Sequence, residues 1–379
     1  VGERRNDIHL GEIKAYRYMA MLASRGVTGV SPQKMTGCLF SGPRTATFEL
    51  DLDEPGGLRF LLENNSAAPA RFTLGVDDAT AAKMVSPESR TTIDLEVDAG
   101  DHVVRMTADG ASDGLFLWGA PQIRGRSTSP AIPIVIVTMD TTRVDALSPW
   151  GGPAEASPEI QKLADRSTVF DNAWAVAPWT LPSHATIFTG LYPYRHGAGV
   201  SEDHLPGSIE TLAERLARHG YFSAGYAGGA LSAAHFGVAQ GFDLYLDPDG
   251  FESKGDVVID AVETMLEEEP PGPLFLFVNL FDPHAVYEAP GEYESLFNVG
   301  DLRNDLVGDP LWRELSDGSI DAWGRLITGE GTASPATLDY LRAACLAEVA
   351  FVDAQIGRLV AGGESRGVFG RGLGGGVSE

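Results

Sequence analysis

Three stretches of the chain gather residues able to do chemistry. In 178–190, Pro178, Trp179, Thr180, Leu181, Pro182, Ser183 and His184 lead into a short apolar-faced run that closes on Gly190. Proline suits the first turn of a helix, where its missing N–H costs nothing, and glycine suits the stop. The spacing predicts Thr180 just ahead of a helix N-terminus. Unpaired backbone N–H groups and the positive end of the helix dipole there favour an anionic oxyacid group and ease ionisation of an attacking hydroxyl. The second stretch begins with the near-continuous apolar run 132–137, which reads as a strand buried on both faces of an α/β sheet. It ends at Thr138, Met139, Asp140 and Thr141, and ligand sites in such sheets lie past the carboxyl ends of strands, where Asp140 falls. A lone acid is costly to bury, so a cation beside Asp140 is a physical expectation. The third stretch is another buried strand, 273–278, ending at Asn279, Asp282, Pro283, His284 and Tyr287, again at a carboxyl edge.

The first stretch resembles the nucleophile signature of the sulfatase family, within the alkaline phosphatase-like superfamily: Cys or Ser, any residue, Pro, Ser, Arg, then Thr-Gly. Here Thr180, Leu181, Pro182, Ser183 and His184 end in Thr189 and Gly190, followed by Tyr192, Pro193, His196 and Gly197 in family fashion. Two departures stand out: Thr180 holds the nucleophile position and His184 replaces the usual Arg. The second stretch is similar to the first metal motif of the family, with Asp140 matching a ligand and Thr141 standing where many members carry a second Asp. Arg143 and Asp145 read as a loop-fixing ion pair without chemistry. The third resembles the Asp-Pro-His-x-Pro-Tyr motif, in which the His contacts the ester oxygens or protonates the leaving group. His284 matches it, Val286 stands at the usual Pro and Asn279 at a frequent His.

The elements that must carry these residues divide the chain in two. From Cys38 to Met106 apolar residues alternate with polar ones in short runs, such as Phe48, Leu50, Leu52 and Phe72, Leu74, Val76, with turn residues between. That pattern predicts a small all-β sandwich of jelly-roll type over 1–126. Trp118 near its last strand could stack on a sugar, although a lone Trp there more often packs a core. The polar, Pro-marked stretch 126–130 reads as a linker. Beyond it, 130–360 reads as an α/β segment. Ile209, Leu212 and Leu216 stand at helical spacing, 221–228 is a strand, 256–266 is an amphipathic helix, and 338–359 is a long one. The fold class is therefore α/β, which the resemblance makes a sulfatase-like sheet flanked by helices, preceded by the sandwich. His9, His102, His204, His219 and His235 lack ligand spacing and read as surface or capping residues.

Composition excludes several function classes. Over 379 residues, 43% hydrophobic and 21% charged content is that of a globular chain, and a formal net charge of −25 would repel nucleic acid and anionic membrane surfaces. Only Cys38 and Cys345 are present, which supports neither a disulfide framework nor a Cys-based zinc site. No apolar run approaches the length of a membrane span, and the patch 18–22 is too brief for a signal peptide core. The resemblance implies a periplasmic or extracellular enzyme, a compartment the residues themselves do not reveal.

The resemblance further implies one divalent cation, Ca2+, Mg2+ or Mn2+, held by Asp140 and Thr141 beside the Thr180 hydroxyl. His184 would neutralise ester oxygens and His284 assist departure of the alcohol of a small-molecule or glycan ester. Thr cannot form the formylglycine aldehyde of sulfatases, so none is expected at Thr180 and a covalent intermediate must be cleaved by water. That favours phosphate or phosphonate esters over sulfate. The resemblance stops near residue 360. After it, 361–379 reads as a glycine-rich tail unable to form a buried strand, where members continue to a strand ending Asp-His-Gly or Asp-Asn-Gly. The catalytic segment is accordingly read as incomplete, by truncation or a shifted reading frame. The alternative is an inactive protein acting, if at all, through glycan or ligand binding.

Overall fold

The computed structural model describes residues 37–52, 55–119, 122–124, 132–199, 203–247, 252–267, 270, 272–306, 309–316, 319–330, 332–369 and 376–378. His9, the patch 18–22, the linker 126–130 and the Cys38 side chain lie outside them.

The alternating pattern before residue 120 forms two antiparallel sheets. One is ordered β1 (Gly37–Ser41), β8 (Leu115–Gly119), β3 (Gly56–Asn64), β6 (Ser89–Val97), with β9 (Gln122–Arg124) also on β3. The other is ordered β2 (Arg44–Leu52), β7 (Gly100–Asp109), β4 (Ala70–Val76), β5 (Ala79–Val85). Residues at period two, among them Leu58, Phe60, Leu62, Phe72, Leu74, Val104 and Met106, form one buried cluster because alternate side chains of a strand share a face. Trp118 belongs to it: its ring lies 5.4 Å from that of Phe60 and 5.5 Å from that of Phe72, with no exposed surface. The sugar-stacking reading of Trp118 is thereby withdrawn.

The third sheet is parallel throughout, in the order β12 (Leu244–Leu246), β11 (Phe222–Ala227), β13 (Leu274–Leu280), β10 (Ile134–Met139), β14 (Gly376–Ser378). Helices cover both faces, as parallel sheets require. On one face lie α1 (Pro158–Ala164), α4 (Gly255–Glu267) and α5 (Pro335–Ser365); on the other lie α2 (Thr180–Thr189) and α3 (Leu212–Arg218). Strand parity divides the core. Leu274, Leu276, Val278 and Leu280 of β13 face α4 and α5, whereas Phe275 and Phe277 face α2. By the same alternation Ile134 and Ile136 of β10 face α2, and Thr138 and Asp140 continue that face. Four short helices occupy 291–328. No helix among the described residues is long and apolar enough to cross a membrane.

Two features differ from expectation. The long helix runs past residue 360 to Ser365, and the tail does supply a strand: Gly376, Val377 and Ser378 pair with Val137, Thr138 and Met139 of β10. A parallel ladder needs backbone donors and acceptors rather than apolar side chains, so a glycine-rich segment can occupy the open edge of β10. Gly363 allows the chain to fold back there, because a Cβ would fall 1.9 Å from the ring of buried Phe369.

Arg59 joins the two sheet systems. Its guanidinium lies 5.9 Å over the Phe222 ring and 3.8 Å from the Asp243 carboxylate, while its Nε donates to Asp94. Trp118→Ala removes the largest fully buried side chain of the antiparallel part, and urea unfolding monitored by fluorescence should report a loss of about 3–5 kcal/mol.

Candidate active site

Helix α2 begins at Thr180, with extended Trp179 as N-cap and Pro182 in the first turn, so the proline lacks only an N–H that would have had no helical partner. Thr180 is thus the first residue of the helix rather than the one before it. Gly190 ends the helix in a left-handed conformation, φ 68°, and its N–H closes on the Thr186 carbonyl at 2.8 Å. Ser183 Oγ donates to the Ala177 carbonyl at 3.1 Å and ties the first turn to the incoming chain.

This placement brings the Thr180 hydroxyl to Asp140. Thr180 Oγ1 donates to Asp140 Oδ2 at 3.1 Å, with both side chains buried. Asp140 is positioned by its own N–H, which extends the β10–β13 ladder by donating to the Leu280 carbonyl at 2.9 Å. Thr141 follows at φ 54°, a conformation that a β-branched residue adopts at a cost of roughly 1 kcal/mol or more. Its hydroxyl donates to the Pro283 carbonyl at 3.0 Å and so fastens the Asp140 loop to the loop that carries His284. His284 is half-buried, stacked on Phe281 with ring centroids 4.4 Å apart, and its Nδ1 meets the Ala285 carbonyl at 2.6 Å. A carbonyl only accepts, so Nδ1 carries a proton and Nε2 is left for other work.

His184 is the residue that the structure does not bring to the ester side. Four residues after Thr180, it lies one turn further along the same helix face, where α2 rests on the sheet. Its ring is fully buried, edge-on to Phe277 at 5.2 Å, and its Nε2 lies 3.4 Å from Thr138 Oγ1. These contacts of His184 lie inside the protein. Arg143 and Asp145 pair at 2.6 Å on the surface, each favouring the charged form of the other through a side-chain hydrogen bond. His102 pairs with exposed Asp77, His219 caps α3 and His235 packs on Phe236, as surface and capping residues do. Cys345 is free and half-buried, and burial raises its thiol pKa.

The metal expectation meets a limited donor set. Asp140 Oδ2 already receives the Thr180 proton, the Thr141 hydroxyl is directed to Pro283, and no group of three or more His, Cys, Asp or Glu among the described residues is arranged to hold an ion. One carboxylate and one hydroxyl fall well short of the roughly six to eight oxygens that Ca2+ takes, or the octahedral shell of Mg2+. The described residues do not make a fitting cation site, and no chemical step is derived through one.

Two acids to which the sequence assigns no chemical role lie near the His284 loop. Asp282, which reads as a turn-starting acid, and Glu348, a marker of one face of α5, are both buried. Both Asp282 oxygens and Glu348 Oε2 have no hydrogen bond among the described residues, while Glu348 Oε1 accepts from the Glu288 N–H and anchors the far end of the loop. Burial pushes Asp282 up to about 6; the Gly255 N–H, close but outside hydrogen-bond geometry, and Lys254 pull the other way. Burial likewise pushes Glu348 up to about 7, opposed by Lys254 and the Glu288 N–H and reinforced by the Asp282 charge. A polar residue that breaks an apolar face of a helix, as Glu348 does, is the sequence signal that could have found it.

A family model described as Sulfatase matches residues 133–368, more than half of the chain. The chain belongs to the sulfatase family. An arylsulfatase of Clostridium perfringens is 23% identical over 283 residues, which cover 60% of this chain and 58% of that protein. Ectonucleotide pyrophosphatase/phosphodiesterase family member 1 of Rattus norvegicus is 39% identical over 79 residues, 21% of this chain and 8% of its own length. Among solved structures, one described as a complex with its substrate D-glucosamine-2-N,6-O-disulfate matches with a TM-score of 0.50 at 20% identity, covering 63% of each chain, and shares the fold. The chain spans less than two thirds of the length of the curated relatives it matches. Members of the sulfatase family generally use a divalent cation.

The two raised acids give this sulfatase-family chain a pH dependence of defined sign. Each keeps its proton in the folded state at pH values where the unfolded chain, with the ordinary carboxyl values of 3.8 and 4.5, has lost it. The stabilisation is complete below those values and is lost as pH rises through about 6 for Asp282 and about 7 for Glu348. The unfolding free energy, measured in urea across this range, should fall with rising pH. Asp282→Asn should flatten the dependence by roughly 3 kcal/mol.

Proposed function

We propose that the protein hydrolyses monoesters or diesters of phosphoric or phosphonic acid, with Thr180 as nucleophile. The observation that carries this reading is the buried hydrogen bond from Thr180 Oγ1 to Asp140 Oδ2 at a helix N-terminus. Asp140 takes the hydroxyl proton as Thr180 Oγ attacks phosphorus, while the N–H groups of Thr180 and Leu181, which as first-turn groups have no partner within α2, stabilise the negative oxygens. The bond from phosphorus to the alcohol oxygen breaks, and a protonated His284 delivers the Nε2 proton to that oxygen. Water then attacks the phosphothreonine and gives one proton to His284. The bond from phosphorus to Thr180 Oγ breaks, and the proton held by Asp140 returns to the hydroxyl.

The side chain at position 180 selects the acid. Formylglycine requires a primary alcohol or thiol, and oxidation of a threonine hydroxyl yields a ketone because its carbon already bears a methyl group. The intermediate on Thr180 must therefore be an ester cleaved by water. The similarity to the ectonucleotide pyrophosphatase/phosphodiesterase supports phosphorus, and its 39% identity is higher than that to the arylsulfatase. The longer match to the arylsulfatase supports the second reading, a sulfate ester cleaved by the same residues.

The test uses the full-length protein with 4-nitrophenyl phosphate, bis(4-nitrophenyl) phosphate, 4-nitrophenyl phenylphosphonate and 4-nitrophenyl sulfate. Turnover of a phosphorus ester should exceed that of the sulfate at least tenfold. Thr180→Ala should lower it by about 10³-fold or more, and Thr180→Ser should keep a measurable fraction. Brisk sulfate turnover with none on phosphorus decides for the second reading, and undiminished turnover by Thr180→Ala removes both.

A further inference from the structure

A line of buried polar groups runs beneath the candidate nucleophile, from α2 across the two central strands. His184 Nε2 lies 3.4 Å from Thr138 Oγ1, which receives the Asn279 Nδ2 amide at 3.0 Å. Asn279 Oδ1 in turn accepts from the Gly228 and Gly229 N–H groups at 3.2 and 3.1 Å and from Ser232 Oγ at 3.3 Å. Thr138 and Asn279 are register partners across β10 and β13, and His184, Thr138, Asn279 and Ser232 have no exposed surface. The line thus spans the helix that starts at Thr180, the strand that ends at Asp140, the strand that leads to His284, and the turn after β11.

Stability alone does not account for these residue types. An apolar side chain fully buried at either strand position would contribute roughly 1.5–3 kcal/mol. A typical internal hydrogen bond nets only about 1 kcal/mol, and the cost of leaving one such group unpaired is as large. The neighbours on the same face are Ile134, Ile136, Phe275 and Phe277, so the apolar alternative was available one step back along each strand. Hydrogen bonds provide what apolar contacts do not, a fixed direction and length between α2 and the strand that bears Asp140.

We propose that Thr138 and Asn279 are positioning residues that act through His184 to hold Thr180 at hydrogen-bonding distance from Asp140; this rests on the reading of Thr180 as nucleophile. Thr138 Oγ1 receives the Asn279 Nδ2 amide and shares a second hydrogen bond with His184 Nε2, so the ring is held from the strand side at one atom. His184 lies one turn below Thr180 on the same face, so a shift of the ring is a shift of the turn that carries the hydroxyl.

Thr138→Val keeps the volume and deletes the hydroxyl. Displacement of reacting groups on the scale of an ångström costs about a hundredfold in rate, so kcat on the best phosphorus ester should fall roughly tenfold to a hundredfold, with KM moving less than about threefold. Thr138→Ser, which restores the hydroxyl, should return most of the lost kcat. An unchanged kcat in Thr138→Val, or a loss that Thr138→Ser fails to restore, overturns the proposal. Should Thr138→Val not fold, Asn279→Asp keeps the acceptor for Gly228, Gly229 and Ser232 but cannot donate to Thr138; it should show the same split, and wild-type kcat there overturns the proposal. Thr180→Ala is measured alongside. If it keeps full activity, the nucleophile reading has failed, and the positioning claim is decided separately by the ¹⁵N signals of the His184 ring. Ring signals that change in Thr138→Val uphold it, and identical signals in the two proteins overturn it.

Discussion

The bond from the Thr180 hydroxyl to the Asp140 carboxylate joins the start of α2 to the end of β10. It exists only because α2 lies on the sheet face to which Thr138 and Asp140 point, and because the strand next to β10 shares its register residue by residue. A buried carboxylate is costly without partners. Accepting a hydroxyl proton, while its backbone is locked by the Leu280 carbonyl, gives Asp140 one geometry. The rest of the α/β part serves that geometry. Apolar layers press helices on both faces, and the polar groups cluster at the carboxyl ends of β10 and β13, where the layers open.

The same edge is reinforced from three sides. Thr141, at positive φ, hooks the Asp140 loop to Pro283. Glu348 on α5 holds the Glu288 N–H and so the far end of the His284 loop. The line from His184 to Asn279 braces α2 from beneath. Each brace is made of hydrogen bonds rather than apolar contacts, which suits a site whose members come from segments distant in the chain. Strained backbone and under-satisfied buried acids at the edge of an otherwise well-packed core are where a fold gives up stability for placement.

Much of this was legible before any coordinates. The apolar runs at 132–137 and 273–278 announced central strands, and the period-two stretches before residue 120 announced antiparallel sheets. The Pro182 and Gly190 punctuation delimited α2 to within a residue. The role of His184 was not legible. Residue type and motif position put it beside Thr180, but only the helical period together with the sheet beneath it shows that a residue four further on points into the core. The strand at 376–378 was hidden for a related reason: side-chain patterns speak to burial, whereas a parallel edge can be filled by backbone alone.

The amino-acid sequence by itself determined the family, the α/β class and the presence of an acid, a hydroxyl and a histidine at the ends of buried segments, because these follow from local periodicity and short spacings. The tertiary structure alone decided that Thr180 donates to Asp140, that the buried ring of His184 meets Thr138, and that Asp282 and Glu348 are buried. Those facts depend on which faces of separate elements are pressed together; a polar break such as Glu348 can mark a buried position locally, but not the partner pressed against it.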